Sequence, residues 1–195
     1  MAFTTEAHPF GLDSDKEIHP EYNLRLIRLH CNGGKYNKGY NRGGEPMKPS
    51  EMFSHWEQVR ADLLEIIDKF SQSELSFTPF DNSRTVGEIM LHIADCEDNW
   101  LHGVVRHEFE PWVCYNLYDY PTKSAIKELL DLARKRTVVF FECLDENDLD
   151  KEFCTPNGES FTLRWIIWHV LEHEIHHRGE LSLALGLLGC AGLDV

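Results

Sequence analysis

The chain has little positive charge for its acid. Nineteen Lys and Arg stand against 33 Asp and Glu, a formal net charge of −14, and a surface of that sign repels phosphate backbones and anionic lipid headgroups. A nucleic acid or a membrane is therefore an unexpected partner, and a small molecule or another protein the expected one. The six cysteines, Cys31, Cys96, Cys114, Cys143, Cys154 and Cys190, include no C-x-x-C pair, and the first residues lack a basic-then-apolar leader. Both absences point to free thiols in a reducing cytoplasm. No apolar run approaches the ~20 residues of a membrane span, because charge interrupts every long hydrophobic segment at helical spacing. Nor does any segment alternate as a strand of useful length.

The acid is unevenly placed. Residues 1–46 hold six basic and six acidic side chains, whereas 47–195 hold thirteen and twenty-seven. The first part closes on a run over residues 32–46 with five glycines, three asparagines and no aliphatic side chain, which reads as a linker or irregular loop. The expected organisation is an extension over 1–46, with Met47 a conceivable start, followed by one domain over 47–195.

Within that domain four helices are predicted. Ser50 is a plausible N-cap for a helix over about 51–70, where Met52, Phe53, Trp56, Val59, Leu63, Ile66, Ile67 and Phe70 recur at three-to-four spacing. Thr85-Val-Gly-Glu88 reads as a capping box opening a second helix to about 106. Pro121 and Thr122 start a third, and a fourth runs from about Thr162 to Leu188, with Gly189 ending it. The connection over 107–121 carries Phe109, Trp112, Tyr115, Tyr118 and Tyr120 and reads either as a loop capping the bundle or as a lid. The fold expected is all-α, an antiparallel four-helix bundle, whose interior is a natural place for a metal held by facing helices.

The last helix carries the chemistry. His169, His173 and His177 recur every four residues, so each falls ~40° from the last around the axis and the three form one stripe, with His176 beside it. A single histidine on a half-apolar face is ordinarily a packed core residue. Three in succession are harder to pack, since each neutral ring would need its own hydrogen-bond partner inside. A divalent ion, by contrast, needs converging imidazole nitrogens, and an i, i+4 pair supplies two on one rigid element. A further ligand must come from another helix, and His92, set among apolar neighbours in the second helix, is the residue placed to complete a three-imidazole set.

Ile89-Met-Leu-His92-Ile-Ala-Asp95, the trailing Trp100, the Thr162-Leu163 lead-in, and His169-Val-Leu-Glu-His173-Glu-Ile-His-His177-Arg-Gly-Glu-Leu181 together resemble the DinB/YfiT-like superfamily over about 47–189. The resemblance implies a four-helix bundle, often homodimeric, that binds a divalent metal through three histidines, here His92, His173 and His177. It implies further that His169 is a neighbour one turn away and His176 is beside the site or in solvent. Characterised members of that superfamily include transferases and isomerases that use a low-molecular-weight thiol. Imidazole ligands suit zinc and nickel, and iron or manganese are compatible with the set. The expected activity is metal-dependent, a thiol S-transferase or a hydrolase acting on a small electrophile.

Two other readings are open in the residues. His173-Glu-Ile-His-His177 satisfies H-E-x-x-H, in which Glu174 would be the general base of a zinc peptidase or would orient a water, although only eighteen residues follow and no third downstream ligand is present. A non-catalytic metal-binding or stress-associated protein would be favoured if His169 or Cys96 closed the remaining coordination position. Gly179, costly by ~1 kcal/mol inside a helix, suggests close approach of a neighbouring helix; Arg178 reads as a surface or inter-helix ion pair.

Overall fold

The computed structural model of the protein describes residues 48–192; the expected extension over 1–46 and the Met47 start lie outside the described residues. A single turn, α1 (Pro49–Met52), precedes four long helices, α2 (His55–Lys69), α3 (Val86–Glu97), α4 (Lys123–Glu142) and α5 (Leu163–Leu187). α2 packs on α5, α3 packs on both α4 and α5, and α2 meets α4, so the four close into a bundle. Successive helices α2 and α3, like α4 and α5, lie across the bundle from each other, and their connections must cross its ends. Among the described residues, no helix is long and apolar enough to cross a membrane.

The caps form where the sequence places them. Thr85 and Glu88 make the reciprocal capping box of α3, Thr122 accepts from the Ala125 N–H, and Thr162 accepts from the Trp165 N–H. Gly189, at φ 79°, ends α5 in the left-handed region. The structure departs from the expected elements in three places. The predicted first helix is broken at Phe53–Ser54, and Lys48 rather than Ser50 precedes the first turn. The second helix leaves α geometry at Asp98 and continues as a π-helix over Asp98–Val105. Thirdly, Glu152–Cys154 and Ser160–Thr162 form a two-stranded antiparallel ribbon, β1 and β2, around the Pro156-Asn157-Gly158 turn, with Phe153 opposite Phe161. Three-residue strands are too short for alternation to register in a sequence.

A polar layer divides the core. On one side Leu63, Ile66, Ile67, Met90, Ile126, Leu130 and Leu185 pack together; on the other, Phe53, Trp56, Leu101, Phe141, Leu163 and Ile167 do. Between them each long helix contributes one charge: Arg60 from α2, Glu97 from α3, Arg134 from α4 and Glu174 from α5. Arg60 donates to both carboxylates, at 2.6 Å to Glu174 and 2.7 Å to Glu97, and to the Leu130 carbonyl at 2.7 Å. Arg134 also bridges the two, at 2.9 Å to Glu97 and 2.5 Å to Glu174, while stacking over the Trp56 ring. Burial works against the charged form of Glu97, but Arg134 and Arg60 outweigh it and hold the carboxyl at about 2. Burial likewise opposes the Arg60 charge, and Glu174 and Glu97 outweigh it to raise its pKa. Two cations and two anions leave the layer neutral, which is what permits it inside a core.

Candidate metal centre

α3 and α5 pack against each other, and their contact brings three histidine rings together. His92 stands at the middle of α3 and His173 and His177 on successive turns of α5. His173 Nε2 lies 3.2 Å from His92 Nε2 and 3.1 Å from His177 Nε2, and the ring centroids are 4.3 to 5.0 Å apart. Three ligand atoms held by one ion at about 2.0–2.1 Å, with angles between octahedral and tetrahedral, stand about 2.8–3.4 Å apart. The 3.1–3.2 Å from His173 Nε2 to each of the other two Nε2 atoms fits a divalent cation.

A carboxylate behind His177 fixes which of its nitrogens faces the centre, and a second stands within ion-pair range of His92. Glu180 Oε2 accepts from His177 Nδ1 at 2.6 Å, and Asp95 Oδ2 is 3.7 Å from His92 Nδ1. A proton held on Nδ1 by a carboxylate leaves Nε2 as the bare donor, the usual outer support of a metal-bound imidazole. Neither Asp95 nor Glu180 was anticipated from the sequence, yet both follow their histidine by three residues on the same helix, so His-x-x-Asp and His-x-x-Glu at positions 92 and 177 carried the signal. Asp95 accepts a hydrogen bond from the Tyr115 N–H at 2.7 Å, and burial raises its pKa. The aromatic connection is thus docked on the site's own helix: Asn99 exchanges two 2.7 Å hydrogen bonds with the backbone of Val113, and Tyr115 Oη donates to Asp98 at 2.6 Å.

The remaining candidates lie elsewhere. His169 stacks on Trp165 at 4.8 Å and its ring is 6.1 Å from that of His173; the group of three whose donor atoms converge excludes it. Cys96 is buried in the apolar cluster with Trp56 and Phe141, and burial pushes its thiol pKa well up. His176 is exposed and pairs with Glu180 at 3.3 Å. Glu174, although adjacent to His173, turns to the opposite side of α5, where Arg60, Arg134 and the Trp56 N–H occupy both oxygens. The expectation that Glu174 orients water, and with it the H-E-x-x-H peptidase reading, gives way to a structural role, because these three donors already engage both of its oxygens. Arg178 does pair between helices, with Asp62 of α2 at 2.7 Å. Among the described residues the close approach expected at Gly179 is absent: a Cβ there would meet nothing within 4 Å.

His173 is pushed down to about 2, by burial first and then by the rings of His177 and His92. The folded value lies below the ordinary 6.5, so between the two the unfolded chain binds the extra proton. The metal-free protein should keep this group's full contribution above ~6.5 and lose it progressively as pH falls toward 2. Urea midpoints of chelator-treated protein should accordingly drop between pH 7.5 and 5, above the window in which Glu97 titrates, and H173Q should flatten the drop. Equal slopes in wild type and variant would show that His173 does not titrate as the geometry requires.

Comparison with known proteins agrees with this architecture. The sequence model of the DinB superfamily matches residues 55–181. YjoA of Bacillus subtilis (strain 168), an uncharacterised protein, is 25% identical over 142 residues, 72% of this chain and 90% of YjoA. The crystal structure of YjoA, a DinB-like protein, superposes with a TM-score of 0.58 over 73% of this chain and 94% of its own, at 23% identity. YfiT from Bacillus subtilis, described as "a probable metal-dependent hydrolase with an unusual four-helix bundle topology", gives a TM-score of 0.55 at 20% identity over 80% and 95% of the two chains. A mycothiol-dependent maleylpyruvate isomerase gives 0.51 at 14% identity over 71% and 66%. These structural likenesses show a shared fold, and with the superfamily's sequence pattern spanning more than half of its length, the chain belongs to the DinB superfamily.

Proposed function

We propose that the protein is a divalent-metal-dependent enzyme in which His92, His173 and His177 hold the ion, zinc or nickel before iron or manganese, and a small molecule is transformed beside it. The observation that carries this reading is the placement of His173 Nε2 within 3.1–3.2 Å of both His92 Nε2 and His177 Nε2, with a carboxylate hydrogen-bonded behind His177. Three neutral ligands leave the ion's charge intact. When bound, such an ion supplies an electrophilic centre that brings the pKa of a coordinated water or thiol toward neutrality. Among the described residues no fourth side-chain donor joins the set, which leaves room for a substrate rather than a closed storage site.

The chain's own residues do the positioning. Glu180 keeps the proton of His177 on Nδ1, and Asp95 stands 3.7 Å from His92 Nδ1. Trp100 stands edge-on to both Trp165 and His169, at 5.6 and 5.2 Å, and forms an apolar wall one turn from His173 that limits water on that flank. Two relatives by fold, one described as a metal-dependent hydrolase and one as a mycothiol-dependent isomerase, bracket the two chemistries: hydrolysis with water, or transfer to or through a low-molecular-weight thiol.

Metal-loaded and metal-stripped protein should be offered activated esters and electrophilic alkenes, each with and without a small thiol. The expected result is turnover that falls at least ~100-fold on stripping and returns on reloading, with the product mass separating hydrolysis from thiol transfer. Stoichiometric metal with no turnover of either kind would leave a non-catalytic metal-binding protein.

A further inference from the structure

Six of the seven described arginines have a carboxylate within 4 Å: Arg60, Arg106, Arg134, Arg136, Arg164 and Arg178. Arg84 has none within 4 Å among the described residues, its charge reaching Asp95 only at longer range, in a chain with 33 acids to 19 bases. Its position is not arbitrary. It immediately precedes the Thr85 N-cap of α3 and lines a cavity of about 410 Å³ together with Phe80, Asn82, Ile89, Glu180 and Leu183. Ile89 precedes His92 by one turn on α3, and Glu180 follows His177 by one turn on α5. The cavity therefore adjoins the histidine set on the flank opposite the Trp100 and Trp165 wall.

Resting on the metal-enzyme reading above, we propose that this cavity is the substrate subsite for a carboxylate on an otherwise apolar small molecule, with Arg84 as its anchor. A guanidinium with no carboxylate against it offers a planar fork of donors that matches one on a ligand. Glu180 lines the same cavity but makes no ion pair with Arg84; its two oxygens are directed at His177 Nδ1 and His176 Nε2. Phe80, Ile89 and Leu183 give the body of the ligand an apolar lining. The Glu180 carboxylate on the same wall repels a dianion more than a monoanion, which favours a carboxylate over a phosphate. A ligand lying between Arg84 and the histidines would present its reacting end to the ion and its charged end to the arginine, so Arg84 selects and orients without touching the reacting atoms; it is a positioning residue.

The test uses the full chain loaded with cobalt(II), whose visible absorption reports thiol ligation, and a ruler of ω-mercaptoalkanoates from three to eight carbons against the corresponding mercaptoalcohols. Cobalt absorption before any thiol is added checks the histidine set by itself. If it does not develop, the metal reading falls and the subsite with it. If it does, one chain length of the acid series should bind at least ~10-fold tighter than its alcohol. R84Q should reduce that ratio to within about twofold, and R84K, which keeps the charge and loses the fork, should fall between. Hexanoate, with a carboxylate and no thiol, should compete for the wild type and lose that competition in R84Q. Equal binding of acids and alcohols at every length, or a preference that survives R84Q, overturns the proposal. Inorganic phosphate competing more strongly than hexanoate overturns the carboxylate assignment. Because Arg84 is exposed, neither variant removes packing from the core.

Discussion

Glu174→Ala is expected to destabilise the protein by about 3–5 kcal/mol, the cost of stripping one partner from a buried ion pair and leaving the other uncompensated. At this chain length that corresponds to a fall in Tm of roughly 6–20 °C. The size of the effect follows from the position of the carboxylate. Glu174 is 1% exposed and receives Arg60, Arg134 and the Trp56 indole N–H. Its removal leaves two guanidinium groups facing Glu97 alone, in a layer sealed on both sides by apolar side chains. Glu174→Gln keeps the shape and loses the charge, and should fall between the wild type and the alanine variant. A general base of a peptidase-type site would behave in the opposite way: E174Q would abolish turnover and leave the denaturation midpoint where it was. Urea unfolding of the two variants, with metal content measured alongside, separates these outcomes. An unchanged midpoint in E174A would remove the structural role assigned to the four-charge layer.

That layer also marks the limit of what the sequence disclosed. The helices were legible because their apolar positions repeat at three-to-four spacing, and their ends because Thr85, Thr122, Thr162 and Gly189 have conformational reasons to be there. The histidine cluster was legible because His173 and His177 share a helix face and His92 sits among residues bound to face inward. Arg60, Arg134, Glu97 and Glu174 gave no such signal: each looks like an ordinary helix-surface charge, and only the packing of four helices turns them toward one point. The π-helix at Asp98–Val105 was equally hidden, since over eight residues its apolar period scarcely differs from that of an α-helix. The short ribbon at 152–162 arises from a tight turn rather than from strand-forming residues. Gly179 was misread for a related reason, because the cost of a glycine in a helix does not say which contact, if any, compensates for it.

Metal retention is expected to be lost in both His92→Ala and His177→Ala, while the helical circular dichroism of the purified variants stays close to wild type. The two halves of this prediction have separate causes. Two imidazoles cannot reproduce a three-nitrogen set in which His173 Nε2 stands 3.1–3.2 Å from each of the others, so affinity should drop by more than the roughly 10–100-fold that follows loss of an outer carboxylate. Glu180→Gln, which disturbs only the proton on His177 Nδ1, should show that smaller loss and so rank between the wild type and the ligand variants. The fold survives because the two apolar clusters and the four-charge layer lie apart from the histidines. The stability contrast should therefore appear only on loading: zinc or nickel should raise the wild-type Tm in proportion to the logarithm of free metal over Kd and leave the alanine variants unmoved. Wild-type metal content in either variant after dialysis, or an equal rise in Tm for all three proteins, would place the ion elsewhere and leave the histidine cluster as packing.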